Sequence, residues 1–246
     1  MDALQSENNF EVLYQDNYLL AVNKPAGIIV HSDGTHEPSL TDVVSEKLRA
    51  LENSRQTDLS QVQALNRLDR ETTGIVLFSL KKETQAQFDQ LIASKELSKE
   101  YLAAVKGAFE PNKVLIDKAI GKDRHDAQKM RISVTGKPSQ TEVRLIKVAS
   151  SAQGQTQSLL LVNLLTGRKH QIRVHLSSLG FPLVGDTLYG GMSSLQRASK
   201  KKHRPQPLML HAYRVGFIHP VTGEKIVIKT DIPERFSYFG VTEVDL

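Results

Sequence analysis

The sequence of 246 residues contains no cysteine. This absence excludes disulfide bonds and thiolate ligands to a metal ion, and it fits the reducing conditions of the cytoplasm. No apolar run approaches the roughly 20 residues that a membrane-spanning helix needs, so no membrane partner is predicted. The start, MDALQSENNF, lacks the basic end and the apolar stretch of a secretory signal. We therefore expect a soluble cytoplasmic protein.

The composition is that of an ordinary globular protein, with 39% hydrophobic and 24% charged residues. A chain of this length can bury one substantial core, and no linker divides it. We predict a loose polar tail over residues 1–9, a single domain over residues 10–246, and a monomer. The net charge of +5 allows a nucleic-acid partner without requiring one.

Short apolar runs alternate with turn signals along the chain, and predicted strands outnumber predicted helices. Several strands follow one another without a helical crossover, which favours an α+β fold with a mixed, largely antiparallel sheet over a doubly wound one. Helices are predicted over residues 39–52, 83–96 and 166–180. Two strands are predicted within 11–24, around a turn at Asp16–Asn17, and one within 24–31. Further strands are predicted over 74–80, 99–107, 129–134, 139–149, 158–165, 208–218 and 225–230.

The segment NRLDRETTG (66–74) places one acid, Asp69, just before the apolar run IVLFSL. Side chains alternate in an extended segment, so Arg67 and Asp69 share a side, and a surface ion pair between them is one interpretation. Such a pair contributes under about 1 kcal/mol and needs no function. The other interpretation is a functional acid, since strand ends and the adjoining loops often carry sites.

A second segment, GRKHQIRVHL (167–176), concentrates basic and polar groups within one or two predicted helical turns. Positive charges near a helix N-terminus oppose the helix dipole. The segment therefore indicates an anionic partner, either a phosphate or a carboxylate from elsewhere in the chain, although a solvated basic face explains it too. His170 and His175 have no matched acids, so no metal site is predicted. The basic loop 191–207 is either a solvated loop or a flap that contacts phosphate.

Four segments together resemble the RluA-type family of pseudouridine synthases, in the family's order and over nearly the whole chain. The Asp69 segment resembles the family signature H-R-L-D-x-x-T-S-G. The other three are VNKPAGIIVH (22–31), GRKHQIRVHLSSLGFPLVGDTLYGG (167–191) and LHAYRVGFIHPVTGE (210–224). The sequence departs from the family pattern beside expected catalytic positions, where Asn66 replaces His, Thr73 replaces Ser and Lys169 replaces Thr.

The resemblance implies an RNA pseudouridine synthase that isomerises specific uridines in structured RNA, ribosomal or transfer, with no metal and no cofactor. The reaction would detach uracil from its ribose C1′ and rejoin it through C5. The family fold implies one domain with a bent sheet, flanking helices and a central cleft. The chain has no room for an S4-like RNA-binding domain, so the catalytic domain itself would recognise RNA.

The resemblance also implies three catalytic residues. Asp69 matches the family's essential aspartate, and an ionised carboxylate can act as a nucleophile or stabilise positive charge on the sugar. Arg173 matches the arginine that pairs with this acid and would keep it deprotonated. Tyr101, in KEYLAAV, matches the active-site tyrosine, whose ring can stack on uracil and whose hydroxyl can move a proton.

Four further residues are implied to bind RNA. Arg67 matches an arginine that fills the gap left by an extruded uridine, where its planar guanidinium stacks on neighbouring bases. Lys24, Arg168 and His170 are predicted to contact the RNA backbone. Single-stranded loops are the predicted target, because their bases are already partly exposed.

Two other functions remain open. One is an RNA-binding protein on a synthase fold that has lost activity, although Asp69, Tyr101 and Arg173 are all present. The other is a glycosidase or a metal nuclease. A glycosidase needs two acids around the bond it cleaves and a metal nuclease needs an acid cluster, whereas these motifs offer one central acid among basic groups.

Overall fold

The computed structural model describes residues 10–34, 37–52, 62–94, 96–150, 154–190 and 206–246. The strands in chain order are β1 (Glu11–Gln15), β2 (Leu19–Lys24), β3 (Gln63–Ala64), β4 (Thr73–Ser79), β5 (Ser98–Lys106), β6 (Lys113–Asp117), β7 (Ile120–Lys122), β8 (Met130–Ile132), β9 (Gln140–Ser150), β10 (Thr156–Leu164), β11 (Leu210–Ile218) and β12 (Lys225–Lys229). The helices are α1 (Leu40–Glu52), α2 (Gln85–Ser94) and α3 (Gln171–Ser178), and short 3-10 helices cover Lys82–Thr84, Glu234–Phe239 and Glu243–Asp245.

The chain divides into two compact units, and it passes from one to the other three times. Unit 1 comprises Met1–Lys99 and Ala212–Asp231. Unit 2 comprises Glu100–His211 and Ile232–Leu246. Strands β5 and β11 each contain a unit boundary, so each contributes residues to both units.

In unit 1 the strands β1, β2, β4 and β11 follow one another across a sheet, with β3 paired to β4 and β12 paired to β11. Asp16 makes the turn between the first two strands, because its Oδ1 accepts hydrogen bonds from the backbone N–H groups of Tyr18 and Leu19 at 2.7 and 2.8 Å. This confirms the turn predicted at Asp16–Asn17 between two antiparallel strands.

The core of unit 1 lies on one face of this sheet, as the period of two along a strand requires. Alternate residues of β2, β4 and β11 pack with Phe88 and Leu91 of α2 and with Leu97. The contributing strand residues are Leu19, Ala21, Ile75, Leu77, Val215 and Phe217. The intervening residues of β2 and β4 are also buried, so both faces of these strands are covered.

Unit 2 contains the strands β5, β10, β9 and β6 in that order, each paired antiparallel with the next. Strands β7 and β8 form a separate antiparallel hairpin. Tyr101 of β5 lies opposite Val162 of β10 and is buried. With the antiparallel pairs of unit 1, this arrangement confirms the predicted α+β fold with a largely antiparallel sheet.

Helix α3 is shorter than predicted, since it begins at Gln171 and not at Thr166. His170 precedes it with a φ of +56°, a left-handed conformation that cannot continue a right-handed helix. The predicted end at Gly180 is confirmed. Gly180 has a φ of +86°, and the N–H of Phe181 donates to Leu176 O at 3.1 Å, which is the hydrogen-bond pattern of a Schellman cap.

The other predicted helices and strands are found with bounds shifted by a few residues, except the strand within 24–31, which is wrong because residues 25–31 form turns and bends. Strands β3, β6 and β7 were not predicted. The predicted tail at 1–9 and residues 191–205 of the predicted basic loop lie outside the described residues. None of the helices in the described part of the chain is long and apolar enough to cross a membrane.

Candidate active site

Asp69 lies in the segment between β3 and β4, in a turn closed by a hydrogen bond from the Thr72 N–H to the Asp69 carbonyl oxygen at 3.0 Å. The residue is half-buried, and β4 begins at Thr73. Every residue of β4 is buried, so the turn is attached directly to the packed interior of unit 1. The predicted position of the acid at the start of a buried strand is confirmed.

Gly74, which ends the Asp69 motif, has a φ of +109°, a conformation that side chains other than glycine rarely adopt. A Cβ atom at this position would overlap the backbone of Ala212 in β11. The glycine therefore permits a close backbone approach immediately after the turn that carries Asp69.

Lys24 is fully buried at the end of β2. Its Nζ donates hydrogen bonds to the carbonyl oxygens of Pro25, Ile28 and Arg70 at 2.9, 2.7 and 2.9 Å. An ammonium group has three N–H donors, and these three acceptors use all of them. The structure thus contradicts the predicted contact between Lys24 and the RNA backbone, because neither exposed surface nor a donor remains for a phosphate.

The bonds of Lys24 instead join two loops of unit 1. One acceptor, Arg70 O, belongs to the residue that follows Asp69, and it also accepts from the Gly27 N–H at 2.9 Å. Burial lowers the pKa of Lys24 from 10.5 to about 8, although the negative charges of Glu71 and Asp69 act to raise it. The group is therefore still protonated at neutral pH, and it fixes the backbone on which Asp69 is carried.

Asn66, which replaces the family histidine, forms hydrogen bonds with the backbone of β4. Its Nδ2 donates to Ile75 O at 3.1 Å, and its Oδ1 accepts from the Leu77 N–H at 2.8 Å. These two bonds attach the segment before Asp69 to the buried strand. The departure at this position is thus explained by a structural role in unit 1.

Arg67 and Arg70, on either side of Asp69, differ in their surroundings. Arg67 is exposed, as a residue that inserts into RNA must be. The Nη1 of Arg70 lies 2.6 Å from Glu37 Oε2 and donates to Gly27 O at 3.3 Å. Arg70 therefore supports the same loop that Lys24 holds, and Arg67 is the arginine of this segment that suits an RNA contact.

In unit 2, Arg173 forms a two-point ion pair with Asp186. The Nε donates to Oδ2 and the Nη2 donates to Oδ1, both at 2.9 Å. The Oδ1 also accepts from the N–H groups of Leu188 and Tyr189 at 2.9 Å. Burial by itself would raise the pKa of Asp186, but the bond and charge of Arg173 and the two amides lower it below its ordinary value.

This ion pair defines the orientation of Arg173, because a planar guanidinium held at two points cannot rotate. The pair uses two of the five N–H donors of the guanidinium. The ring of Tyr189 lies beneath the same group, with the guanidinium carbon 5.2 Å from the ring centroid. Arg173 is therefore a fixed cation in unit 2.

His170 and Tyr189 are joined by a hydrogen bond between His170 Nδ1 and the tyrosine hydroxyl, 2.8 Å apart. The same hydroxyl accepts from the Met130 N–H of β8 at 2.8 Å. The structure thus brings together two of the predicted residues, His170 and Arg173, around one tyrosine.

Gln171 explains why the chain turns before α3. Its Oε1 accepts from the Thr166 hydroxyl at 2.8 Å and from the Arg168 N–H at 3.1 Å. Its Nε2 donates to Gln140 O and to Thr141 Oγ1, both at 2.9 Å. All the hydrogen-bonding capacity of this buried amide is used: its oxygen holds the segment before α3, and its nitrogen attaches the start of α3 to β9.

His175 lies one helical turn after Gln171 and uses the same strand. Its Nδ1 is 2.9 Å from Thr141 Oγ1, and its Nε2 is 2.9 Å from Lys118 O. Burial lowers the pKa of His175. Both ring nitrogens of His175 are bonded inside the protein, so this histidine has a structural role. Arg168 and Lys169, by contrast, are exposed and suit contact with an anion.

One residue of this cluster was missed from the sequence, Asp186. The signal was the segment GDTLYGG (185–191), in which an acid and a tyrosine stand between glycines. Gly190 has no room for a side chain, because a Cβ atom there would overlap Asp186 O. Among the described residues, no group of three or more histidine, aspartate or glutamate side chains is arranged to hold a metal ion.

Comparison with known proteins gives the family. The profile of a family described as RNA pseudouridylate synthase matches residues 18–178. The uncharacterized RNA pseudouridine synthase YhcT of Bacillus subtilis is 37% identical over 223 residues, covering 91% of this chain and 68% of the relative. The tRNA pseudouridine synthase C of Pasteurella multocida is 35% identical over 236 residues, covering 92% and 93%. The solved structure of human RNA pseudouridylate synthase domain containing 1 is 28% identical with a TM-score of 0.73, covering 94% and 86%.

The matched region includes Asp69, Tyr101 and Arg173. The relatives and the solved structure extend the similarity to more than nine tenths of this chain. The chain therefore belongs to the RNA pseudouridylate synthase family and is an RNA pseudouridine synthase, an isomerase that converts uridine in RNA to pseudouridine.

Proposed function

We propose that Asp69, Tyr101 and Arg173 carry out this isomerisation without a metal ion or a cofactor. The observation that supports the proposal is the turn of Asp69, a family-motif acid whose backbone is fixed by the buried Lys24. In the reaction, the bond between uracil N1 and ribose C1′ breaks and a bond between C5 and C1′ forms. The proton on C5 is lost, and N1 gains one.

In this proposal the Asp69 carboxylate supplies negative charge at C1′ as the base departs. The Tyr101 ring stacks on the detached uracil, and its hydroxyl relays the C5 proton, releasing its own hydrogen to solvent as it takes that proton up. Arg173 pairs with Asp69 and keeps the acid ionised. The ion pair with Asp186 supports this role because it fixes the guanidinium in one orientation.

For RNA binding we propose Arg67, Arg168 and His170. Arg67 fills the gap left by the extruded uridine, and the other two contact the RNA backbone. The exposure of Arg67 and Arg168 supports these roles. Arg168 Nε also donates to Pro138 O at 3.3 Å, which limits the orientations of its guanidinium.

As substrate we propose a uridine in a loop of transfer RNA, acted on in the cytoplasm by a monomer whose residues 10–246 form a single catalytic domain. The support is the set of relatives named tRNA pseudouridine synthase C, which match over nine tenths or more of both chains. Ribosomal RNA is the alternative substrate. A map of pseudouridine in a deletion strain distinguishes the two, since the lost site lies in one RNA class or the other.

The role of Asp69 is tested with Asp69→Asn, which keeps the shape of the side chain and removes its charge. We expect no pseudouridine by carbodiimide labelling of RNA incubated with the variant, and RNA affinity and thermal stability close to those of the unmodified enzyme. Appreciable turnover by Asp69→Asn would reject the assignment. The exposed Asp89→Asn in α2 is the matched control, with activity unchanged.

A further inference from the structure

The side-chain hydroxyl of Thr72 is a buried polar group that the fold itself does not use. The residue is 2% exposed, and its N–H closes the turn that carries Asp69. Among the described residues, none forms a hydrogen bond with Thr72 Oγ1. A buried hydroxyl without a partner destabilises a folded protein, because it has given up its hydrogen bonds to water. Its presence therefore needs a reason other than the stability of the fold.

The backbone of the same turn, by contrast, is well bonded. Asp69 O accepts from the Thr72 N–H at 3.0 Å. Arg70 O accepts from the Gly27 N–H and from Lys24 Nζ, both at 2.9 Å. The turn is thus fixed by its main chain, and the position of the Thr72 hydroxyl is set by a backbone that this hydroxyl does not help to hold.

Thr84 shows how the same unit uses a hydroxyl for stability. It is also buried, and its Oγ1 donates to Lys81 O at 3.1 Å, beside the short 3-10 helix before α2. At Thr72 no such bond exists among the described residues. Valine has the same branched shape as threonine with a methyl group in place of the hydroxyl. Packing alone would therefore favour valine over threonine at position 72.

The turn itself indicates which acceptor the hydroxyl serves. A β-turn brings the Cα atoms of its first and fourth residues within about 7 Å, and here these residues are Asp69 and Thr72. The turn contains two carboxylates, of which that of Glu71 belongs to an exposed residue and that of Asp69 to a half-buried one. Rotation about χ1 moves a threonine hydroxyl between staggered positions without disturbing the backbone. The Asp69 carboxylate is therefore the acceptor that the turn places beside Thr72.

We propose that Thr72 is a positioning residue for pseudouridine formation. In the complex with RNA, its hydroxyl donates a hydrogen bond to the Asp69 carboxylate and orients the oxygen that acts at ribose C1′. This inference rests on the catalytic role of Asp69 proposed above. A hydrogen bond that forms only when the carboxylate is in its reacting orientation stabilises the transition state and not the initial complex. It therefore raises kcat and leaves KM unchanged.

The test compares Thr72→Val, which removes the hydroxyl and keeps the shape, with Thr72→Ser, which keeps the hydroxyl and removes the methyl group. Thermal unfolding of the free enzyme measures stability, and steady-state kinetics on a substrate RNA measure kcat and KM. The matched control is Thr84→Val, which removes a buried hydroxyl that does have a partner in the same unit.

For Thr72→Val we expect stability and activity to change in opposite directions. The melting temperature should rise by about 2–4 °C, because an unpaired buried hydroxyl is removed. The kcat should fall by about tenfold to a hundredfold, the effect of one hydrogen bond to a charged group, with KM unchanged. Thr72→Ser should keep kcat within about threefold of the wild type, since it retains the donor. Thr84→Val should lower the melting temperature and leave kcat and KM unchanged.

A wild-type kcat in Thr72→Val would overturn the proposal, as would a kcat in Thr72→Ser as low as that of Thr72→Val. A lower melting temperature of Thr72→Val, or its failure to fold, would also overturn it, because the hydroxyl would then be bonded in the free enzyme. Asp69→Asn separates this inference from the proposed function. If that variant is inactive while Thr72→Val keeps its kcat, only the role of Thr72 fails, whereas turnover by Asp69→Asn rejects both.

Discussion

Replacing Lys24 by methionine removes the ammonium group while keeping a flexible apolar side chain of similar length in the same buried space. Three carbonyl oxygens lose a donor. Arg70 O keeps its bond from the Gly27 N–H, so the unsatisfied groups are Pro25 O and Ile28 O. A fully buried acceptor left without a donor costs about 1–3 kcal/mol. Pro25 and Ile28 are only half-buried, so we expect the free energy of unfolding to fall by about 2–4 kcal/mol.

Urea unfolding followed by far-ultraviolet circular dichroism measures this loss, because the chain has no tryptophan for fluorescence. The control is Lys113→Met, which breaks an ion pair whose side chains are 65% and 35% exposed, with Nζ to Glu142 Oε1 at 2.8 Å. A pair so exposed contributes under about 1 kcal/mol. The difference between the two variants isolates the buried bonds of Lys24 from the general effect of removing a lysine.

RNA binding separates the structural role of Lys24 from a phosphate contact. A phosphate contact releases counterions, so its loss lowers the slope of log Kd against log salt concentration by about 1. For Lys24→Met we expect the wild-type slope, measured at a temperature where the variant is folded. The reasoning is refuted if the variant is as stable as Lys113→Met, or if its salt slope falls as it would for a phosphate ligand.

Two further predictions concern charge. Arg67→Gln and Arg168→Gln should each lower the slope of log Kd against log salt concentration by about 1, because each removes one phosphate contact. Filter binding across a salt series measures this slope. A wild-type slope in either variant would show that its arginine makes no phosphate contact. The second concerns pH. Because the folded protein lowers the pKa of Lys24 from 10.5 to about 8, the unfolded chain binds more protons between those pH values. The wild type should therefore gain stability relative to Lys24→Met as the pH rises from 8 to 10.5, by urea unfolding at each pH. A difference that shrinks over this range would contradict the lowered pKa.

Much of the fold was predictable because its signals are local. The apolar run of β4 and the turn at Asp16 depend on a few neighbouring residues, and both were found where predicted. The start of α3 was not, because it depends on Gln171, whose side chain bonds to Gln140 and Thr141 some thirty residues earlier. The strand predicted within 24–31 failed for a similar reason. A buried lysine that needs three carbonyl acceptors imposes turns on an otherwise apolar segment.

Lys24 also shows why charge in a sequence is weak evidence for a ligand. A lysine in a family motif and a lysine on an RNA-binding surface look the same until burial is known. Methylene groups and hydrogen bonds allow the ammonium to lie inside the protein, provided that all three donors find acceptors. The sequence contained the residue, whereas only the fold shows that its acceptors are the protein's own carbonyl oxygens.

The basic segment at 167–176 also contains both buried residues with partners inside the protein and exposed residues. Its density of cations and histidines indicated an anionic partner, either a phosphate or a carboxylate within the chain. The structure supplies the carboxylate for Arg173, from Asp186 thirteen residues later. His175 is buried between Thr141 and Lys118, on the side of α3 that Gln171 also uses. What remains exposed, Arg168 and Lys169, lies before the helix, where backbone N–H groups and positive side chains together suit an anion. The carboxylate interpretation therefore holds for Arg173, whereas the phosphate interpretation stays a prediction, which Arg168→Gln tests.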